Sequence, residues 1–256
     1  MVHLFNKILR SLIDNKICAL ATVVESVGSS PRESGAKMII FSDGSIEGTI
    51  GGGSLERQVI EDALLALRRK ESILKVYSLD KKSGLQACGG RIRIFIDVLE
   101  PARTLVICGA GHIGLALSLV AKLLNFRVVV LDDRRDFANR RRFPHADIVL
   151  CQTYPRAIKS LSPDKNTFIV IVTHQHSHDA ACLQAALKTK AGYVGMIGSR
   201  RKIKEVFNGL LKKGFTKTQL KKVYSPIGLD IGAQTPQEIA VAIAAELIKH
   251  ITSVKK

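Results

Sequence analysis

The chain has 256 residues, among them 39 Lys or Arg and 22 Asp or Glu, so its formal net charge is +17. A chain of this length can bury its own core in one large or two smaller domains, without disulfides or a structural metal. Its five cysteines include no CxxC pair, which argues against a disulfide framework or a zinc ribbon and favours a reducing compartment.

The high positive charge favours anionic partners, but the basic residues are spread along the chain without interleaved aromatic residues, which argues against nucleic acid. No apolar run is long enough to span a membrane. The first sixteen residues place apolar positions at helical spacing and lack a small-residue cleavage site, so they predict an amphipathic helix and not a signal peptide. We therefore expect a cytoplasmic protein with no membrane partner.

Residues 1–100 predict a β-rich α/β domain. Runs rich in Val, Ile and Ala, separated by turn-forming residues, predict strands at 16–27, 36–42, 45–50, 73–79 and 91–99. Between the third and fourth of these strands, an apolar stripe from Leu55 to Leu67 predicts a helix with Ser54 as its N-cap.

After Pro101 the pattern changes to alternating strands and helices, which predicts a second domain over residues 101–256. Strands are predicted at 105–108, 127–131, 148–151, 168–172 and 193–197, and helices at 112–125, from about 179, from 199 and at 239–251. Thr235, Pro236 and Glu238 form the start signal of the last helix. Such alternation is typical of a parallel sheet with helices on both faces, so we expect a Rossmann-like, doubly wound domain.

The motif Gly109-Ala-Gly111-His112-Ile-Gly114 follows the first strand of this second domain and opens its first helix. Glycines in that context permit a tight turn and the close approach of a pyrophosphate to the helix N-terminus. An acid is expected about twenty residues further on, and Asp132 fulfils this expectation. The motif therefore predicts a nucleotide-type binding site formed by these residues.

The cofactor class stays open at this point. Asp132 suits the ribose diol of NAD, whereas Arg134 and Arg135 follow at once and suit a 2′-phosphate. A βαβ unit that binds no cofactor is the structural alternative.

A histidine-rich segment, Thr173-His174-Gln-His176-Ser-His178-Asp179, follows a predicted parallel strand. If the segment stays extended, its three histidines share one face. Clustered histidines bind zinc or iron, so His174, His176 and Asp179 are candidate metal ligands. The alternative is that Asp179 only caps the following helix.

Two further loops carry candidate residues. Gly51, Gly52 and Gly53 precede a predicted helix, where backbone amides can form an anion-binding nest, and Arg32 lies in a second glycine-containing loop. Cys88 precedes two glycines, so it is a candidate thiol nucleophile, sulfur carrier or soft-metal ligand. Cys18 and Cys108 fall inside apolar strands and are expected to be buried.

Taken together, these motifs resemble the xanthine dehydrogenase accessory family, XdhC/CoxI, along nearly the whole chain. The similar segments are GSSPRESGAKM (28–38), GTIGGGSLE (48–56), ACGGRIRIFID (87–97), VICGAGHIG (106–114), TH.H..D (173–179), YVGMIGSRRK (193–202) and SPIGLDIGAQTPQEIAVAIAAEL (225–247). His178 departs from the pattern, which has an apolar residue at that position.

The resemblance implies a maturation factor that binds the molybdenum cofactor (molybdopterin or its cytosine dinucleotide form). Such a factor assists the sulfuration of this cofactor together with a cysteine desulfurase, and its insertion into a xanthine dehydrogenase-type molybdenum hydroxylase. We expect a homodimer acting as a cofactor-binding chaperone. The alternative is an enzyme, a small NAD(P)-dependent oxidoreductase that uses the same Rossmann unit, although the sequence offers no Tyr-x-x-x-Lys constellation for its chemistry.

Overall fold

The computed structural model describes residues 1–28, 33–79, 90–174 and 176–254, with the backbone alone at 176, 177 and 254. The chain divides into two compact units, Met1–Pro101 and Ala102–Lys256. No helix in the described ranges is both long and apolar enough to cross a membrane.

The first unit is a five-stranded antiparallel sheet with one helix against each face. Its elements are α1 (Val2–Ile13), β1 (Cys18–Val27), β2 (Lys37–Phe41), β3 (Ile46–Gly48), α2 (Gly53–Arg69), β4 (Ile73–Leu79) and β5 (Gly90–Leu99). The strand order is β3-β2-β1-β5-β4. Strand alternation turns one row of side chains, such as Ile92, Ile94 and Ile96, towards α2. The opposite row packs against Ile8 of α1.

The second unit is built on a five-stranded parallel sheet. Its elements are β6 (Thr104–Cys108), α3 (His112–Leu123), β7 (Arg127–Asp132), β8 (Ile148–Cys151), α4 (Tyr154–Leu161), β9 (Thr167–Ile171), α5 (His176–Ala186), β10 (Tyr193–Met196), α6 (Arg200–Lys212), α7 (Lys217–Leu220) and α8 (Pro236–Val254). The strand order is β10-β9-β6-β7-β8. The chain therefore reverses its winding direction between β6 and β9, where open α/β sheets bind ligands.

Helices cover both faces of this sheet, so the predicted Rossmann-like fold class is confirmed. One core cluster joins the sheet to α3 and α8, for example through Leu117 and Ile243, and the other joins it to α4, α5 and α6, for example through Ile158 and Leu183. The predicted capping box of α8 is also present, because Thr235 Oγ1 accepts a hydrogen bond from the Glu238 amide and Glu238 accepts one from the Thr235 amide.

Some element boundaries differ from the predicted ones. Helix α2 begins at Gly53, so Ser54 lies inside its first turn and is not its N-cap. Helix α5 begins at His176, three residues before the predicted start at Asp179. The short helix α4 was not predicted at all, because it is only eight residues long.

Candidate functional site

The loop between β6 and α3 is shaped by its glycines. Gly109 has a φ of +123°, and a Cβ at this position would overlap the carbonyl oxygen of Val172, which follows β9. A Cβ at Gly114 would overlap the carbonyl oxygen of Gly109 itself. At Gly111, by contrast, a Cβ would meet nothing within 4 Å. Two of the three glycines therefore serve the packing of the loop, and the third borders open space.

The N-terminus of α3 faces that open space without a side-chain cap. Gly111 is its N-cap residue, makes no side-chain hydrogen bond, and is followed by no acid in the first turn. His112, the first helical residue, is exposed. Free amide groups and the positive end of the helix dipole favour an anion at this position.

Asp132 ends β7 and holds the loop in place. Its Oδ2 accepts hydrogen bonds from the Ala110 amide at 2.8 Å and from Arg134 Nη2 at 2.9 Å, and its Oδ1 accepts from the amide and Nε of Arg134 at 3.0 and 2.9 Å. The side chain is 0% exposed. All four acceptor positions of the carboxylate are thus occupied within the chain.

These contacts decide the charge of Asp132. Burial alone would raise its pKa, but the hydrogen bonds from Arg134 and Ala110 outweigh burial and lower the pKa to about 2. The same pairing raises the pKa of Arg134, whose guanidinium also lies 3.8 Å from the centre of the Phe137 ring. Arg134 therefore forms an ion pair with Asp132 instead of facing a ligand. The sequence could not indicate this pairing.

Arg142 contacts the same loop from another direction. Its Nε donates a hydrogen bond of 3.2 Å to the carbonyl oxygen of Ala110, and its guanidinium lies near the Phe137 ring. The sequence reasoning missed this residue because 32 positions separate it from Ala110. It adds a second cation beside the uncapped helix.

The histidine-rich segment does not stay extended, because α5 begins at His176, so the condition for placing three histidines on one face is not met. His174 precedes α5 and His178 lies in the first turn of that helix, and their ring centres lie 4.9 Å apart. The side chain of His176 lies outside the described part of the structure. Asp133, which was not predicted as a ligand, joins His174 and His178, and one donor atom from each residue lies within 4.8 Å of the others.

Asp179 does not belong to this cluster, which corrects its assignment as a metal ligand. It is fully buried, accepts a hydrogen bond of 2.6 Å from Thr173 Oγ1, and forms an ion pair with Lys202 of α6. A buried carboxylate requires such partners. Asp179 therefore ties α5 to the end of β9 and to α6.

The glycine loop before α2 contains its own anion, which corrects the prediction of an open nest at Gly51, Gly52 and Gly53. Glu56 Oε1 accepts hydrogen bonds from the amides of Ile50 and Gly52 at 3.0 and 2.8 Å and from the Thr49 hydroxyl. Burial would raise the pKa of Glu56, but these hydrogen bonds lower it. The carboxylate occupies the position that an external phosphate would take.

Arg32 and Cys88 lie outside the described residues. The expectation that Cys18 and Cys108 are buried is confirmed. Cys182 is buried as well, and burial together with a hydrogen bond to Cys108 raises the pKa of its thiol. These three thiols are poor candidates for redox or sulfur chemistry, because all three are buried and reactive cysteines are accessible to solvent.

The chain has relatives among known proteins. It is 36% identical over 236 residues to the uncharacterised protein YqeB of Escherichia coli (strain K12), covering 90% of this chain and 43% of YqeB. It is 30% identical over 156 residues to a probable xanthine dehydrogenase subunit of Bacillus subtilis (strain 168), covering 61% of this chain and 45% of that protein. Less than half of each of these two relatives is therefore spanned by the chain.

Two further proteins match nearly the whole chain. The molybdenum cofactor insertion chaperone PaoD of E. coli (strain K12) is 24% identical over 268 residues, covering 93% of this chain and 84% of PaoD. The crystal structure of a xanthine dehydrogenase from Bacillus halodurans has a TM-score of 0.56 at 22% identity, covering 96% of this chain and 95% of that chain. This last similarity concerns the fold alone.

Two family models cover both units of the chain. The model of the XdhC and CoxI family matches residues 13–78. The model of the XdhC Rossmann domain matches residues 105–247, which is more than half of the chain and includes the glycine loop, Asp132 and the histidine-rich segment. The chain therefore belongs to the XdhC and CoxI family.

Proposed function

We propose that this protein is an accessory factor that binds the molybdenum cofactor and assists its sulfuration and insertion into a xanthine dehydrogenase-type hydroxylase. Its family membership and its similarity to the insertion chaperone PaoD support a maturation role. The cargo suits the chain, because a pterin phosphate is anionic and the chain carries a net charge of +17.

The uncapped N-terminus of α3 is the observation that carries this proposal. Gly111 leaves open space in front of the helix, and Arg142 adds a cation beside it. A phosphate group of the cofactor fits this position, because it would receive backbone hydrogen bonds and favourable charge together. The proposed binding residues are Gly109, Gly111, His112 and Gly114, and a cytosine dinucleotide form would use the same site.

The hydrogen bonds that Asp132 already accepts argue against the alternative function of an NAD(P)-dependent oxidoreductase. A ribose diol requires free acceptor positions on this carboxylate, and Arg134 and Ala110 occupy all of them. To bind Asp132, the ribose of NAD would have to displace Arg134. To bind Arg134, the 2′-phosphate of NADP would have to break its ion pair with the buried carboxylate of Asp132. Asp132 thus acts as a support of the loop and not as a ligand of the cargo.

The test is to purify the protein from a host that makes the molybdenum cofactor and to identify what it carries. Mass spectrometry and absorbance that detect a pterin and molybdenum in the wild type, and less of both in Gly111→Ala, would support the proposal. Bound NAD(P) in place of the pterin would support the oxidoreductase and overturn it. Wild type that carries no pterin after expression in such a host would also count against it.

Cys88 is included in the proposal because it precedes Gly89-Gly90 in the sequence. We assign to it the handling of sulfur or molybdenum, because thiolate is a better soft-metal ligand than oxygen. Cys88→Ser should fold normally but retain less molybdenum and activate the client hydroxylase less. Cys108→Ser is the matched control, because it places a hydroxyl in a fully buried strand and should mainly lower the thermal midpoint. Wild-type molybdenum retention by Cys88→Ser would remove Cys88 from the proposal.

The proposed partners are the client hydroxylase and a cysteine desulfurase, and the proposed assembly is a homodimer. Co-purification of the untagged chain with each tagged partner tests the first two. Light scattering tests the third, and a monomer mass at micromolar concentration would refute the dimer.

A further inference from the structure

Three potential metal ligands meet at the carboxyl edge of the parallel sheet, on the side covered by α5. Asp133 follows β7, His174 follows β9, and His178 lies in the first turn of α5. Parallel strands end at the same edge, which is why residues 41 and 45 positions apart in sequence are brought together here. One donor atom from each residue lies within 4.8 Å of the other two.

The spacing of these donors suits a metal ion better than a direct contact. His178 Nε2 and Asp133 Oδ2 are 3.6 Å apart, which is too long for a hydrogen bond. A tetrahedral zinc ion holds its nitrogen and oxygen ligands at about 2.0–2.1 Å, which sets neighbouring donors about 3.4 Å apart. The two atoms therefore already stand at nearly the separation that a shared ion requires.

The charge balance at this edge also favours a cation. Two neighbouring acids already have cationic partners, because Asp132 pairs with Arg134 and Asp179 pairs with Lys202. Within the ranges that the structure describes, the only salt-bridge partner of Asp133 is His178, at 3.6 Å. The carboxylate of Asp133 is exposed to solvent and forms no salt bridge with a lysine or arginine among the described residues.

The second nitrogen of His178 distinguishes this residue from an ordinary surface histidine. Its Nδ1 is buried and has no hydrogen-bond partner among the described residues. The Tyr154 ring packs against the imidazole, with ring centres 5.5 Å apart, and fixes its plane. Nε2 is thus directed towards Asp133 at the solvent-facing side of the cluster.

We propose that Asp133, His174 and His178 form a binding site for one divalent transition-metal ion of the zinc class. Two imidazoles and one carboxylate are a donor set that zinc accepts, and three protein ligands leave one coordination position open to water or to an anionic ligand. Asp133 and His174 are exposed, so an ion can enter from solvent. This site uses none of the residues assigned to the phosphate position, and the proposal does not rest on the proposed function.

The test uses the full-length, untagged chain after removal of metals with a chelator. Calorimetry with Zn²⁺ should show one ion bound per chain, and Co²⁺ should give the visible absorption bands of a four-coordinate site. Each of Asp133→Asn, His174→Ala and His178→Ala should weaken Zn²⁺ binding at least about tenfold. Thermal midpoints of the metal-free variants would show that they still fold.

Two matched variants define the ligand set. His3→Ala removes an exposed histidine outside the cluster and should bind Zn²⁺ like wild type. Cys151→Ser removes a thiol whose sulfur lies 3.7 Å from the carbonyl oxygen of Asp133, and it should also leave binding unchanged. Absence of stoichiometric Zn²⁺ in the wild type would overturn the site. It would equally be overturned if affinity fell in His176→Ala or Cys151→Ser but not in His178→Ala.

Discussion

The protein contains two glycine-rich loops that each open a helix, and the structure uses them in opposite ways. Before α2, the amides of Ile50 and Gly52 point at the carboxylate of Glu56, which lies in the first turn of the same helix. Before α3, the first turn contains no acid and Gly111 has no side-chain cap. The first loop is closed by its own anion, and the second contains no such anion.

This difference shows that glycine content alone does not predict an anion site. Both loops supply amide donors at the positive end of a helix dipole. What separates them is whether the following turn contains an acid that can reach back. GGGSLE contains one, and GAGHIG does not.

Among the variants, Gly114→Ala is expected to lower the stability of the protein most. Its new methyl group would overlap the Gly109 carbonyl oxygen, which belongs to backbone and cannot rotate away. We expect the free energy of unfolding to fall by about 3 kcal/mol. Urea denaturation measures this change, and a variant as stable as wild type would show that the α3 loop is not packed as described.

Asp132→Asn should cause the second-largest loss of stability, because it leaves the Arg134 guanidinium without its carboxylate. Since the folded pKa of Asp132, about 2, lies below the ordinary value of 3.8, the carboxylate stabilises the fold at every pH above 3.8. This contribution is lost as the pH falls from 3.8 towards 2, and it amounts to about 2 kcal/mol. Denaturation at a series of acidic pH values should show wild type converging on Asp132→Asn, and parallel curves would contradict the assignment.

Glu56→Ala should lower stability less than the two variants above. It should also leave the amides of the loop before α2 free to bind an external anion. Loss of the carboxylate should lower the free energy of unfolding by about 1 kcal/mol, as for other helix caps. Phosphate should then raise the thermal midpoint of the variant more than it raises that of wild type. Chloride at equal ionic strength is the control for screening. Equal responses of the two proteins to phosphate would show that Glu56 does not replace an external anion.

Gly111→Ala is expected to have the smallest effect on stability. Gly111 has a φ of −72°, which alanine also adopts, and the methyl group would meet no atom within 4 Å. The cost should stay below about 1 kcal/mol. The methyl group would nevertheless occupy the space before the helix, so affinity for pyrophosphate should fall at least about tenfold by calorimetry. An affinity for pyrophosphate equal to that of wild type would show that the anion does not bind at the N-terminus of α3.

The sequence predicted the fold well because the fold depends on local patterns. The parallel strands from Thr104 to Met196 are continuous apolar runs, and α8 has an explicit capping box. Helix α4 escaped prediction because its eight residues are fewer than the about ten to twelve over which a helical period is recognised.

The site was predicted less completely because it depends on contacts distant in sequence. Asp132 and Asp133 are identical neighbours in sequence, yet the first is buried against Ala110 and Arg134 and the second faces His178. Likewise, the structure begins α5 at His176, where the sequence predicted extended backbone up to Asp179. That change brings His178 to His174, which the predicted extended segment did not.

The backbone of Ala110 is held on both sides, because its N–H donates to Asp132 and its carbonyl oxygen accepts from Arg142. A loop fixed in this way is preorganised, so a ligand spends little of its binding free energy on ordering the backbone. Hydrogen exchange should register this rigidity as strong protection of the Ala110 amide, comparable to that of the strand before it. Under the proposed function, a cofactor phosphate would therefore meet a backbone that is already in its binding conformation, and its affinity would come from the contacts themselves.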